Sequence, residues 1–154
     1  MRKYKIYCDL DGVICNFDKK VEELTGKLLK NLDEKVMWSI VARHNNFYGD
    51  LEWMPDGKEL WDNILHLQPT ILTGLPMGNW AKPQKISWCI RELGYETPVI
   101  TTYSREKHLH SGPNCILIDD RKKLKDKWEI ANGIFIHHIN AKDTLNELRN
   151  LRIL

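Results

Sequence analysis

The chain has 154 residues, a net charge of +2 and 42% hydrophobic residues; one ordinary domain of this size buries roughly 68–70% of its unfolded surface and needs no disulfide or structural metal to do so. The small charge and scattered basic residues exclude a protein that coats nucleic acid, and no apolar run is long enough to cross a bilayer or act as a leader. Four cysteines, at positions 8, 15, 89 and 115, lack C-x-x-C spacing and are expected as buried thiols in a reducing compartment, so the expected location is cytoplasmic.

In chain order, the first strand is expected at Lys5–Cys8, followed at once by Asp9-Leu10-Asp11-Gly12. Residues i and i+2 of a strand leave on the same side, so Asp9 and Asp11 crowd one another and call for a cation or a shared proton. An EF-hand is excluded, because the twelfth position counted from Asp9 is Lys20, where that loop needs glutamate. Residues 16–68 then read as helical, with apolar stripes Val21, Leu24, Leu28 and Val36, Ile40, Val41. About fifty residues are too many for a strand-to-helix connection, so this segment is expected as a small helical cap inserted after the first strand, with residues 1–15 and 69–154 forming the core domain. Its aromatics, Trp38, Phe47, Tyr48, Trp53 and Trp61, serve either a small core or a stacking surface for a flat substrate.

The second strand, Thr70–Leu72, ends in Thr73-Gly74, a hydroxyl and a backbone N–H that suit an anion. Lys82 and Lys85 follow and are expected on the surface where a helix opens, with the alternative that one of them, in place of Lys107, meets the phosphate; that helix carries Ile86, Trp88, Cys89, Ile90 and Leu93 and stops at Gly94. After a third strand, Pro98–Thr102, comes Ser104-Arg105-Glu106-Lys107-His108, from which Lys107 can reach a phosphate as a point charge. The fourth strand, Cys115–Ile118, ends in Asp119-Asp120. A helix over 121–131 presents Arg121, Lys122, Lys123, Lys125 and Lys127 as a solvated basic face. A fifth strand, Gly133–His137, and a helix with Leu145, Leu148 and Leu151 on one face close the chain. No histidine has a spaced partner of the metalloprotease type, so a zinc site is not expected. Strands alternating with helices of this length predict an α/β fold with a central parallel sheet flanked by helices.

Asp-x-Asp-Gly, Thr, Lys and Asp-Asp on successive strand ends resemble the haloacid dehalogenase (HAD) superfamily, whose four motifs appear as Asp9-Leu10-Asp11-Gly12-Val13, Leu72-Thr73-Gly74, Lys107 and Leu117-Ile118-Asp119-Asp120. Within it the chain looks most like the small 5′(3′)-deoxyribonucleotidases, through Asp-Gly-Val-Ile-Cys-Asn-Phe, Ser-Arg-Glu-Lys and Leu-Ile-Asp-Asp-Arg. The resemblance implies a Rossmann-like core and a Mg²⁺-dependent phosphomonoesterase. Asp9 would be the nucleophile and Asp11 the acid and base. Mg²⁺ would be held by Asp9, the Asp11 backbone carbonyl and Asp120, with Asp119 behind them, and the substrate phosphate by Thr73, Gly74 and Lys107. The implied substrate is a nucleoside monophosphate, with Phe17, Phe47, Tyr48 and Trp53 as candidates to contact its base. Asn16 and Phe17 depart from that family's pattern, so its base recognition does not carry over.

Three other readings stay open: a sugar phosphate or a phosphorylated nucleic-acid end as substrate, a signalling receiver, and a non-catalytic binding module. The receiver places its acidic pair first and its acceptor mid-chain, the reverse of the order here.

Overall fold

The computed structural model describes residues 3–154. Five strands, β1 (Lys5–Cys8), β2 (Thr70–Gly74), β3 (Val99–Thr102), β4 (Cys115–Asp119) and β5 (Ile134–His137), form one sheet in the order β3-β2-β1-β4-β5, with every neighbouring pair parallel. The expected α/β class, a parallel sheet between helices, is what the structure shows. β1 lies at the centre, and its last residue, Cys8, is in register with Ile71 of β2 and Ile118 of β4. The residues just beyond these three strands are therefore brought to one edge.

Alternation along the strands sorts the core onto two faces. Ile6, Cys8, Ile71, Ile116, Ile118 and Ile136 join the larger core, while Tyr7, Leu72, Leu117 and Phe135 form a second one around the fully buried Trp128. Trp128 belongs to α5 (Lys125–Ile130). The larger core is filled by α3 (Gly57–Ile64), α4 (Ala81–Leu93) and α6 (Ala141–Asn150), through Leu60, Trp61, Ile64, Trp88, Cys89, Leu145 and Leu148. Among the described residues no helix is long and apolar enough to cross a membrane.

Between β1 and β2 the chain runs through α1 (Phe17–Thr25), a 3-10 turn at Leu29–Asn31, α2 (Glu34–Arg43) and α3. Asn16 caps α1 by accepting from the Lys19 N–H, Gly26 ends it at φ 68°, and Asp33 caps α2 by accepting from the Val36 N–H. α3 packs on α6, and the Asp56 carboxylate accepts from the Ala141 N–H at 2.7 Å, tying this part of the segment to the sheet's helical layer.

Four local expectations are corrected. In α2 Val41 is buried as expected, but it is joined by Met37, while Val36 is exposed and Ile40 only partly covered; on this side Trp38 meets the Phe17 ring, centroids 6.0 Å apart. Leu24 and Leu28 are likewise exposed. In α4 the buried positions are Ala81, Lys85, Trp88 and Cys89, and Ile90 faces out. The helix expected over 121–131 is a 3-10 turn, Lys122–Leu124, running into the short α5.

Candidate active site

The site is built where β1, β2 and β4 end. Asp9 leaves β1 with its N–H donated to the Ile118 carbonyl at 2.9 Å. The chain then folds back tightly: the N–H groups of Ile14 and Cys15 both donate to the Leu10 carbonyl, at 2.9 and 2.8 Å, and that of Gly12 donates to the Cys15 carbonyl at 2.9 Å. Gly12 sits at φ +82°, and a Cβ there would run into the carboxylate of Asp120. Both facts demand glycine. Gly12→Ala should lower stability by about 1–2 kcal/mol and displace Asp120; thermal melts with and without Mg²⁺ check this, the variant's melting point being unmoved by the ion.

One carboxylate oxygen each from Asp9, Asp119 and Asp120 lies within 4.8 Å of the others. Lys107, buried in the 3-10 segment Ser104–His110, places its Nζ between two of them, donating to Asp9 Oδ1 at 2.9 Å and Asp119 Oδ2 at 2.8 Å. Burial opposes its charge, but attraction to Asp9 and Asp119 outweighs that and raises its pKa, keeping it protonated. One lysine does not offset three carboxylates. Burial and then repulsion from Asp9 push Asp119 up to about 6; burial, then Asp9 and Asp119, push Asp120 up to about 8. Crowded hard oxygen donors with a charge deficit fit Mg²⁺. The Asp119 oxygens are already engaged, one with Lys107 and one accepting from the Arg121 N–H at 2.9 Å, which leaves Asp9 and Asp120 better placed as direct donors.

Because Asp120 releases its proton more readily unfolded, the folded metal-free protein loses stability as pH rises from the ordinary carboxylate range through about 8. A divalent cation that took Asp120 as a donor would have to displace that proton. Millimolar Mg²⁺ should therefore raise the melting temperature more at pH 8 than at pH 6, as differential scanning fluorimetry would show; equal shifts would contradict this account.

Asp11 is handled differently. Its Oδ2 accepts from Lys85 Nζ at 2.7 Å, and the same ammonium donates to Thr73 Oγ1 at 2.9 Å and the Gly74 carbonyl at 2.7 Å while lying 4.3 Å from the centre of the Tyr48 ring. Lys85 is fully buried, which overturns the expectation of a surface lysine; Lys82 is exposed. The other oxygen, Asp11 Oδ1, is buried and has no hydrogen-bond partner. Burial, more than Lys85 offsets, raises the Asp11 pKa. An unpartnered buried carboxylate oxygen with a raised pKa is suited to carrying a proton.

These groups open into a cavity of about 360 Å³, whose floor includes Asp9, Asp11, Gly12, Lys107 and Asp120. Phe17, Trp38 and Tyr48 supply aromatic walls, and Gly74, Ser104 and Arg121 border the acidic end. Thr73, expected to meet the substrate phosphate, is fully buried, accepts from Lys85 and does not line the cavity; Gly74 does, with Ser104 Oγ lying where a side chain on Gly74 would be. Of the four base-contact candidates, Phe17 and Tyr48 face the cavity. Phe47 and Trp53 do not: Phe47 is fully buried, edge-on to Phe17 and Tyr48 at 5.2 and 5.1 Å, and Trp53 packs on Trp88 and donates to Glu92 Oε2 at 3.3 Å. They are packing residues, because a segment this small fills its interior with rings. Trp38, not singled out for base contact, also lines the cavity.

No protein-family model and no curated protein matches the sequence. The fold is similar to that of a HAD-superfamily hydrolase from Ehrlichia chaffeensis (13% identity, 99% of each chain, TM-score 0.58). It is also similar to a hydrolase from Streptococcus pneumoniae TIGR4 (16% identity, 99% of this chain and 100% of the other, TM-score 0.53). A third likeness is to a phosphonoacetaldehyde hydrolase-like protein from Oleispira antarctica (11% identity, 99% of this chain and 82% of the other, TM-score 0.51). The α/β fold of the chain is thus HAD-like.

Proposed function

We propose that the chain is a Mg²⁺-dependent phosphomonoesterase working through an aspartyl-phosphate, with nucleoside monophosphates as substrates. The observation that carries it is one cavity holding a lysine-braced carboxylate, Asp9, beside a second carboxylate, Asp11, with an unpartnered oxygen. Asp9 attacks phosphorus in line, and the ester P–O bond breaks as the Asp9 O–P bond forms. Lys107 fixes Asp9 Oδ1 and offsets part of the charge that the phosphate dianion brings. Asp11 delivers its proton to the leaving alkoxide, giving the alcohol, and then takes a proton from the water that hydrolyses the acyl phosphate, returning both carboxyl groups to their starting states. Lys85 keeps Asp11 in place between the two steps. Asp9, Asp120 and the Asp11 carbonyl would hold Mg²⁺, with Asp119 behind, and the ion when bound neutralises phosphoryl oxygens as a Lewis acid.

The aromatic walls formed by Phe17, Trp38 and Tyr48 favour a flat leaving group over a sugar. The test is phosphate release, with and without Mg²⁺, from nucleoside monophosphates, sugar phosphates and an aryl phosphate. Release from nucleotides well above sugar phosphates is the expected result. A preference for sugar phosphates would replace the substrate and keep the chemistry, and no release from any of them would remove the enzyme reading.

A further inference from the structure

A second cavity, about 590 Å³, opens beside the first and shares Trp38, Leu75 and Pro76 with it. It is lined further by Trp80, Tyr103, Lys35 and Arg105, and by no acidic residue. That charge balance is the opposite of the acidic floor next door. The aromatic wall is continuous between the two: Tyr48, in the first cavity, stacks on Trp80, in the second, with centroids 5.5 Å apart and planes 26° from parallel. Also lining the groove, the Arg105 guanidinium lies 4.6 Å from the centre of the Tyr103 ring, a cation held over a π face. Rings and unneutralised cations, without carboxylates, form the surface that single-stranded nucleotides recognise: bases stack and phosphates meet charge. Its position suits this too, since Trp38, Leu75 and Pro76 line both cavities, so one ligand can reach from Asp9 into the groove.

We propose that this groove is a leaving-group subsite and that, among nucleotides, the site prefers a 5′-phosphorylated dinucleotide to a nucleoside monophosphate. The dinucleotide's terminal phosphate sits at Asp9, its first base in the acidic cavity, its bridging phosphate at Lys35 and Arg105, and its second base against Trp80 and Tyr103. The proposal rests on the phosphomonoesterase reading and names its substrate class. It is consistent with the small net charge, because a groove with two cations holds one bridging phosphate rather than a long strand.

The experiment compares kcat/KM for a nucleoside 5′-monophosphate, a 5′-phosphorylated dinucleotide and a 5′-phosphorylated hexanucleotide, in the wild type and in K35A/R105A. The dinucleotide should exceed the mononucleotide by about tenfold or more, the value of one stacked base and one phosphate contact. The hexanucleotide should gain nothing further, and in K35A/R105A the dinucleotide-to-mononucleotide ratio should fall towards one. Both replaced residues are exposed, so the fold is retained; Tyr103→Ala tests the stacking half separately. A ratio near one in the wild type, a ratio untouched by the substitutions, or affinity that keeps climbing with strand length overturns the proposal. Calorimetric titration of Asp9→Asn with the mononucleotide and dinucleotide keeps the two readings apart: tighter dinucleotide binding with no turnover of any phosphate by the wild type sustains the groove and sinks the enzyme, while turnover with equal binding does the reverse.

Discussion

Asp9→Asn should lower phosphate release from every substrate by about 10⁴-fold or more and, in the absence of Mg²⁺, should make the protein more stable. The first effect follows from chemistry, since an amide is no nucleophile towards phosphorus, and the oxygens of Asp119, the other carboxylate paired with Lys107, are already taken by Lys107 and the Arg121 N–H. The second follows from charge. Asp9, Asp119 and Asp120 crowd around one lysine, and repulsion from Asp9 contributes to the raised pKa of both its neighbours. Removing one negative charge leaves Lys107 paired with Asp119 and lets Asp120 ionise more easily, so the variant loses less stability as pH rises towards 8. Parallel melts of wild type and variant across this range, with and without Mg²⁺, check the trade. A variant that is inactive and also less stable at high pH would mean that Asp9 braces the site more than it strains it.

Lys85→Met should cost about 10²-fold in kcat, the scale of acid-base catalysis, and alter the pH profile in a way that simple misfolding does not. Three oxygen acceptors, Asp11 Oδ2, Thr73 Oγ1 and the Gly74 carbonyl, lose their common donor. In the wild type, burial raises the Asp11 pKa and Lys85 restrains the rise. Without Lys85 the pKa rises further, so the proton needed for the leaving group persists to higher pH and the alkaline limb of kcat/KM moves upward. Stability changes with the opposite slope: a carboxyl group with a folded pKa above its unfolded one contributes stability at low pH that disappears as pH climbs through the folded value. The variant should therefore match the wild type best at low pH and fall behind as pH rises through the raised Asp11 pKa, by about 2 kcal/mol, the worth of a charged hydrogen bond. An unshifted alkaline limb would remove Lys85 from the control of Asp11. Arginine should not rescue, since its planar fork does not fit three acceptors around one buried point.

How far the sequence could be read depended on whether local chemistry or tertiary packing decided the outcome. All five strands were legible to within two residues, because apolar runs ending in motif residues depend on nothing distant. The gathering of Asp9, Asp11, Lys107, Asp119 and Asp120 was legible from the order of the motifs on strand ends. Lys85 was misread as a surface residue, yet a signal existed: Ala81, Lys85, Trp88 and Cys89 lie at i, i+4, i+7 and i+8, a helical stripe in which a lysine occupies a buried position. A lysine inside such a stripe has a partner to find. The aromatic residues were harder. Phe47, Tyr48 and Trp53 belong to one loop, but Tyr48 reaches the cavity and the other two do not, a choice made by Phe17, Trp88 and Glu92 from elsewhere in the chain.

The central place of β1 has a consequence for how the protein comes into being. β1 is made before both of its partners, β2, which starts at Thr70, and β4, which ends at Asp119. Until the ribosome has released both partners, β1 carries at least one open edge and an incomplete set of carboxylates, a vulnerable state for a strand. Docking of β4 brings Asp119 and Asp120 to Asp9 and seats Lys107 between Asp9 and Asp119 in the same event. The ability to gather a cation is thus a late property of the nascent chain, gained together with the closing of its sheet, so a ribosome-bound fragment ending before β4 carries the first motif without its chemistry.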